Sequence, residues 1–389
     1  MVNEFARILT YCPNSCLNAS VENPLLFYVF ELANFSVLAF FVLIAYRLKL
    51  LTPISMWVWL ALCFAPFFFN YFLISPFVFG DQFSYFHEVT SLKSTGQSVD
   101  YIARTKFLSE NELSGVTVAA KIFGSAPIPN FMTVTSVAFA NKFFALIVFI
   151  WLSRYIDQLR LLFFFLLPSF IIYSSLGLRD NLILLTSMIA LINLANSRYI
   201  FGLLFMAPLI LLKIQMFLFI GIYFIGKLLF KAHVSFRGMM LLFSAALAIV
   251  VINQEWLITY LNYYRIGFVA ENMDGGYRGW ARYGDPSLYE QESFLAIVAL
   301  AFYKLPYFLF MPLPWEWSNP FNIATFLDTI LCMSALYYIL VKYQSSRNQE
   351  VIFLIACLGV GLLAYSFLMA NVGTFSRYRF TLFMPYLLV

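Results

Sequence analysis

Four short stretches of this chain set charged and aromatic side chains beside long apolar runs. In "YSSLGLRDNLILL", Arg179 and Asp180 stand together between two such runs. "FGDQFSYFHEV" puts Asp81, Tyr85, His87 and Glu88 just after another. "ENMDGGYRGWARYGDP" offers Arg278, Trp280, Arg282 and Tyr283 among glycines, and "NVGTFSRYRFTLFMP" offers Arg377, Tyr378 and Arg379. A guanidinium grips a phosphate or pyrophosphate through two parallel hydrogen bonds and stays ionised. Tyrosine and tryptophan offer flat faces to sugar rings and are at home at a membrane–water interface. A carboxylate at that level can take the proton of a sugar hydroxyl. An arginine-held leaving phosphate plus one carboxylate base is a minimal glycosyltransferase. On this reading Arg179, Asp81, Arg377 and Arg379 are the catalytic candidates. Tyr85, Arg278, Trp280, Arg282, Tyr283 and Tyr378 are the substrate-binding ones.

Plainer roles stand beside each of these. Asp180 can N-cap the helix that follows it, and this is compatible with a binding role for Arg179. Arg377 and Arg379 can bind lipid headgroups, and Asp81, next to Gly80, can be a turn residue. With only two histidines, His87 and His233, a histidine-rich metal site is excluded. The chain has no Cys/His metal spacing, no Walker-type phosphate loop and no GxSxG elbow, which argues against an energised pump. No cofactor and no metal is expected.

The elements that carry these residues follow from composition. Of 389 residues, 62% are hydrophobic and only 11% charged, where a soluble domain has about 25% charged residues. The net charge of +5 comes from scattered basic residues, so no nucleic-acid partner is expected. Apolar runs of near-spanning length recur over 25–46, 55–79, 134–152, 161–176, 181–197, 199–212, 214–230, 238–253, 322–341 and 351–370, with a last stretch at 380–389. The predicted fold is all-α: one integral membrane domain over 1–389, a polytopic bundle of about 10–12 spans. Its two long loops, about 80–130 and 254–293, carry short helices. The runs between 161 and 230 are short for a hydrocarbon core of about 30 Å, so breaks are expected there.

Basic residues in alternate short loops set the orientation. Arg47, Lys49, Arg154, Arg160, Arg198, Lys227, Lys231, Arg237, Lys342 and Arg347 belong on the cytoplasmic side. The N-terminus and both long loops then face outward. Residues 294–312, broken by Lys304, Pro306 and Pro312, are expected to form an interfacial or re-entrant element ending in "PLPWEW", because proline costs about 3 kcal/mol inside a helix. Cys12 and Cys16 lie in the outward tail, where pairing is open; Cys63, Cys332 and Cys357 lie in apolar runs and are expected to pack.

"GDQFSY" after an early span, "SSLGLRD" opening a middle one, "MPLPWEW" and the late "SRYRFTLFMP" together resemble the Wzy-type and EpsG-like O-antigen and exopolysaccharide polymerases, related in style to GT-C glycosyltransferases. The resemblance implies a multi-pass protein of the bacterial inner membrane with a periplasmic active face. Its substrates would be undecaprenyl-pyrophosphate-linked glycans, its surroundings membrane lipids, and its protein partner a chain-length regulator. The existing glycan would be transferred onto a hydroxyl of the incoming repeat unit, with no nucleotide sugar and no obligatory metal. Such enzymes use periplasmic arginines and often lack a defined carboxylate base, which favours Arg179 over Asp81. Two other readings stay open: a polyprenyl-phosphate-sugar-dependent transferase, and a lipid-linked oligosaccharide flippase. The scarcity of charges deep in the spans (Lys142, Lys213, Asp328 and Glu31) weighs against the flippase.

Overall fold

The computed structural model describes residues 24–69, 81–96, 115–232, 238, 241, 252–263, 292–316, 320–344, 349–368 and 372–388. Every regular element among them is helical. Among the described residues, three helices are long and apolar enough to cross a membrane: Val29–Arg47, Val134–Leu152 and Ile214–Lys231. The chain divides into two compact units, residues 1–214 and 215–389.

In the first unit the helices are α1 (Pro24–Arg47), α2 (Pro53–Phe68), α3 (Asp81–Thr95), α4 (Gly115–Gly124), α5 (Val134–Leu152), α6 (Gln158–Phe165), α7 (Pro168–Ser174), α8 (Asp180–Ala195), α9 (Tyr199–Met206) and α10 (Leu209–Leu212). Polar residues start them in the usual way. Thr52 accepts from Ser55 N at 3.2 Å ahead of Pro53, Thr133 accepts from Ser136 N at 3.2 Å, and Asp157 accepts from Leu159 N at 2.9 Å. The short apolar runs are indeed broken. Pro168 has no N–H to continue α6, so the chain restarts as α7, and Pro208 separates α9 from α10 in the same way.

Helix α5 is the axis of this unit. In its apolar stretch 72% of residues are buried, against 28% in Val29–Arg47, and it packs on α1, α2, α3 and α8. Its core contacts are aromatic: Trp59 lies edge-on to Phe149 at 5.4 Å and against Phe165 at 5.6 Å, and Phe165 meets Phe170 at 4.6 Å. Such pairs contribute about 0.5–1.5 kcal/mol each beyond area burial.

The second unit holds α11 (Ile214–Lys231), α12 (Phe294–Phe310), α13 (Pro320–Gln344), α14 (Gln349–Leu368) and α15 (Val372–Leu388). The break expected at Lys304 and Pro306 is absent. α12 runs unbroken through both, 17 residues long, and stops only before Pro312 and Pro314. Pro306 removes a single intrahelical donor, and packing on α14, where Ser366 Oγ donates to Ala301 O at 2.8 Å, holds the helix across it. The last stretch, expected to begin at 380, is a 17-residue helix from Val372. Gly226 in α11 takes the Phe353 ring where a Cβ would sit, and Gly361 in α14 lets Leu382 approach to 3.0 Å of its Cβ position.

Candidate functional site

The two ends of α5 differ in chemistry. At its C-terminal end the α1–α2 and α5–α6 turns are tied by Gln158, which accepts from Thr52 N at 3.0 Å and donates to Leu50 O at 2.9 Å. Arg198 donates to Tyr155 Oη and lies over its ring. Arg47, Lys49, Arg154, Arg160 and Arg198 are all exposed here. Five of the basic residues expected to share one side therefore gather at one end of the unit.

At the N-terminal end of α5, Asn34 and Asn130 exchange two hydrogen bonds, at 2.8 and 3.1 Å. The turn between α7 and α8, which carries Arg179, is built here too. Gly177 packs so close to α5 that an added Cβ would sit 3.1 Å from Val137 Cβ. Its N–H donates to Gln82 Oε1 at 2.9 Å, which joins the turn to the first residues of α3. Asn141, fully buried on α5, donates to Leu176 O at 2.7 Å and to Leu178 O at 3.0 Å. Asn181 Nδ2 reaches back to Asn141 O at 3.3 Å. One residue further along α5, the buried Lys142 donates to Ser174 Oγ at 2.7 Å.

Arg179 is half-buried, and its guanidinium forms no hydrogen bond or ion pair with any described residue. It lies at the start of α4: a Cβ on Gly115 would be 2.5 Å from Arg179 Nη1 and 2.5 Å from Leu211 O. Only a glycine leaves room there for the guanidinium beside the end of α10. Asp180 does not cap α8. Arg179 is the N-cap residue, with helical backbone angles (φ −69, ψ −15), and Asp180 follows as the first helical residue, buried. The turn leaves the backbone already helical at position 179, one residue too early for Asp180 to fold back as a cap.

The other candidates of this unit lie on α3. Asp81 is its first residue and is exposed, and Gln82 ties that position to the Arg179 turn. Tyr85 is buried, with its ring edge-on to Phe123 at 6.2 Å, so it serves packing between α3 and α4 rather than offering an open face to a sugar.

In the second unit the end of α12, the second turn of α13, the last turn of α14 and the second turn of α15 converge. Arg379 is almost fully buried at that point. Its Nη1 donates to Phe308 O (2.9 Å), Leu309 O (2.8 Å) and Met311 O (3.0 Å), and Nη2 donates to Thr325 O (3.3 Å). A cation at a helix C-terminus meets orphan carbonyls and the negative end of the dipole. In this structure Arg379 is thus a clamp on α12 and not an arm free for a phosphate. Tyr378 is buried too, stacked on Tyr365 at 5.1 Å and 4° between planes, and Phe308 is also stacked on Tyr365, at 6.4 Å. Its ring face belongs to the protein core, contrary to the sugar-stacking expectation. Arg377 is half-buried on α15. Arg278, Trp280, Arg282 and Tyr283 lie outside the described residues, as do Cys12 and Cys16.

Gln82, Gly115 and Asn141 were not among the residues singled out from sequence. Asn141 had a legible signal, a polar amide inside an apolar run next to Lys142. Gly115 and Gln82 acquire meaning only once α3, α4 and α8 are brought together. No family model matches the chain, and no curated protein or solved structure matches it either.

Proposed function

We propose that this protein is a multi-pass membrane glycosyltransferase that polymerises undecaprenyl-pyrophosphate-linked repeat units into a surface polysaccharide on the outward face of the bacterial inner membrane. The observation that supports it most is Arg179. A half-buried guanidinium in an apolar unit is costly unless it meets an anion or hydrated space, and this one has no partner among the described residues. The turn that carries it packs along the N-terminal half of α5, away from the basic loops at the C-terminal end, and the positive-inside rule assigns that half to the outer side.

In the proposed reaction a hydroxyl of the incoming repeat attacks the anomeric carbon of the growing glycan. The new C–O bond forms as the bond from that carbon to the pyrophosphate oxygen breaks, and the electron pair leaves with undecaprenyl pyrophosphate. Arg179 binds the leaving group and takes up the charge that develops on it; such stabilisation by a preorganised donor is worth about 2.7–4 kcal/mol. The hydroxyl proton goes to Asp81 or, through water, to the departing phosphate. Asp81 is exposed and stitched to the Arg179 turn through Gln82, which suits the base role. Arg377 remains the candidate for the second lipid's pyrophosphate, with Arg379 holding the helices around it. The remaining hydrophobic helices complete the polytopic bundle, their exposed Ile200, Phe201, Leu204 and Ile225 facing lipid tails.

Deletion of the gene followed by gel analysis of surface polysaccharide tests this. Loss of the long ladder with a single repeat unit retained supports a polymerase. Loss of every repeat, or an unaltered ladder, contradicts it.

A further inference from the structure

The turn that carries Arg179 is a short non-helical segment inside an apolar unit, where water is not at hand to satisfy its backbone. Its polar groups nevertheless find partners within the protein. Gly177 N–H goes to Gln82 Oε1 and Leu178 N–H to Leu176 O, while Leu176 O and Leu178 O both receive protons from the single amide of Asn141. A planar amide that donates to two carbonyls of one turn fixes both the depth of that turn on α5 and its rotation. Arg179 is the next residue along, so its Cα is set by the same two bonds. Asn141 itself is fully buried, and its side chain hydrogen-bonds only to the two carbonyls of the turn and to Asn181 among the described residues.

We infer that Asn141 is a positioning residue: it sets where the Arg179 guanidinium stands between Gly115 and the end of α10. The consequence for catalysis rests on the role proposed for Arg179, but the positioning itself does not. An aspartate at 141 has the same shape and only acceptors, so it would repel both carbonyls. A leucine keeps the volume but removes the Asn141 donor from both carbonyls, leaving Leu176 O only its bond from Leu178 N–H.

The test is the rate at which phenylglyoxal modifies Arg179 in the purified full-length protein, read by peptide mass spectrometry, with Arg198 at the far end of α5 as internal control. Asn141→Asp and Asn141→Leu are expected to change the Arg179 rate by roughly threefold or more, because a turn that loses its ties opens locally more often, while Arg198 reacts as in the wild type. If those variants fail to accumulate, Asn141→Ser, which keeps one donor, carries the same comparison with a smaller change. Polymer yield should fall in step with the altered Arg179 rate. An unchanged Arg179 rate overturns the inference, and so does a change of equal size at Arg198, which marks global loosening. A normal ladder from Arg179→Ala would instead remove the proposed function and leave the modification rates to decide Asn141's part.

Discussion

Gly177 and Gln82, 95 positions apart, are joined by a 2.9 Å hydrogen bond from the glycine N–H to the glutamine Oε1. That bond links the two segments on which the proposed chemistry depends, the start of α3 with Asp81 and the turn with Arg179. Gln82 is fully buried, so the pair forms away from solvent. Removing the acceptor leaves a buried N–H unsatisfied, at a cost of about 1–3 kcal/mol. Gln82→Ala should therefore lower the melting temperature and reduce polymer. Gln82→Glu, which keeps the acceptor, should retain more of both than Gln82→Ala. Thermal melts and polysaccharide gels at matched protein level check this; equal behaviour of the two variants would show that the bond does not matter.

Gly115 makes the space for the guanidinium. A methyl there would stand 2.5 Å from Leu211 O and 2.5 Å from Arg179 Nη1. The side chain can swing away, but the carbonyl cannot without moving α10. Gly115→Ala is expected to cut polymer formation by about tenfold or more, in the range that a displacement of about 1 Å produces, with protein still present in the membrane. Quantified ladders in a strain carrying only the variant provide the measurement.

The two arginines first grouped together should now separate in their phenotypes. Arg379→Ala removes the guanidinium donor from the carbonyls of Phe308, Leu309 and Met311, while Thr325 O keeps its bond from Thr329 Oγ1, and a buried carbonyl left unsatisfied costs about 1–3 kcal/mol. The expected outcome is a large fall in protein level and melting temperature, with loss of polymer following from it. Immunoblots of membrane fractions check this. Arg377→Ala, at a half-buried position, should be much milder on protein level.

Lys142 gives a prediction of opposite sign. It is fully buried on α5, with Ser174 Oγ and the Phe170 ring as its polar and aromatic neighbours, and Ser174 Oγ also donates to Phe170 O. A buried charge replaced by an apolar group of similar volume is often neutral or stabilising. Lys142→Met should therefore keep or raise the melting temperature, since the serine retains a partner. A fall of several degrees in a purified sample would show that the ammonium itself holds the unit together.

The legible part of the fold was set by local physics. Runs of apolar residues bounded by Thr52, Thr133 and Asp157 gave α2, α5 and α6 their starts, because a capping oxygen is visible in sequence. The breaks expected from the short runs between 161 and 230 fall at Pro168 and Pro208, each through its missing N–H. Pro306 sent the same signal and misled, because the lost bond is a local cost while the packing of α12 on α14 is a tertiary gain. The site followed the same division. Arg179 stood out as a charge among apolar residues, whereas Arg379, with the same appearance, proved to cap a helix 71 positions away. Asp180 looked like a cap and was displaced by one residue, since a turn's backbone angles are fixed by its tertiary bonds to Asn141 and Gln82. Tyr85 and Tyr378 looked like interfacial rings and were taken into packing by Phe123 and Tyr365.

The most direct test of the account is Arg179→Ala in a strain lacking the wild-type gene, with membrane protein level matched and surface polysaccharide run on a gel. The account predicts that the long ladder disappears while a single repeat unit persists, and that Arg179→Lys restores it only in part, because lysine keeps the charge but loses the two-pronged grip. A full-length ladder from Arg179→Ala at normal protein level would contradict it.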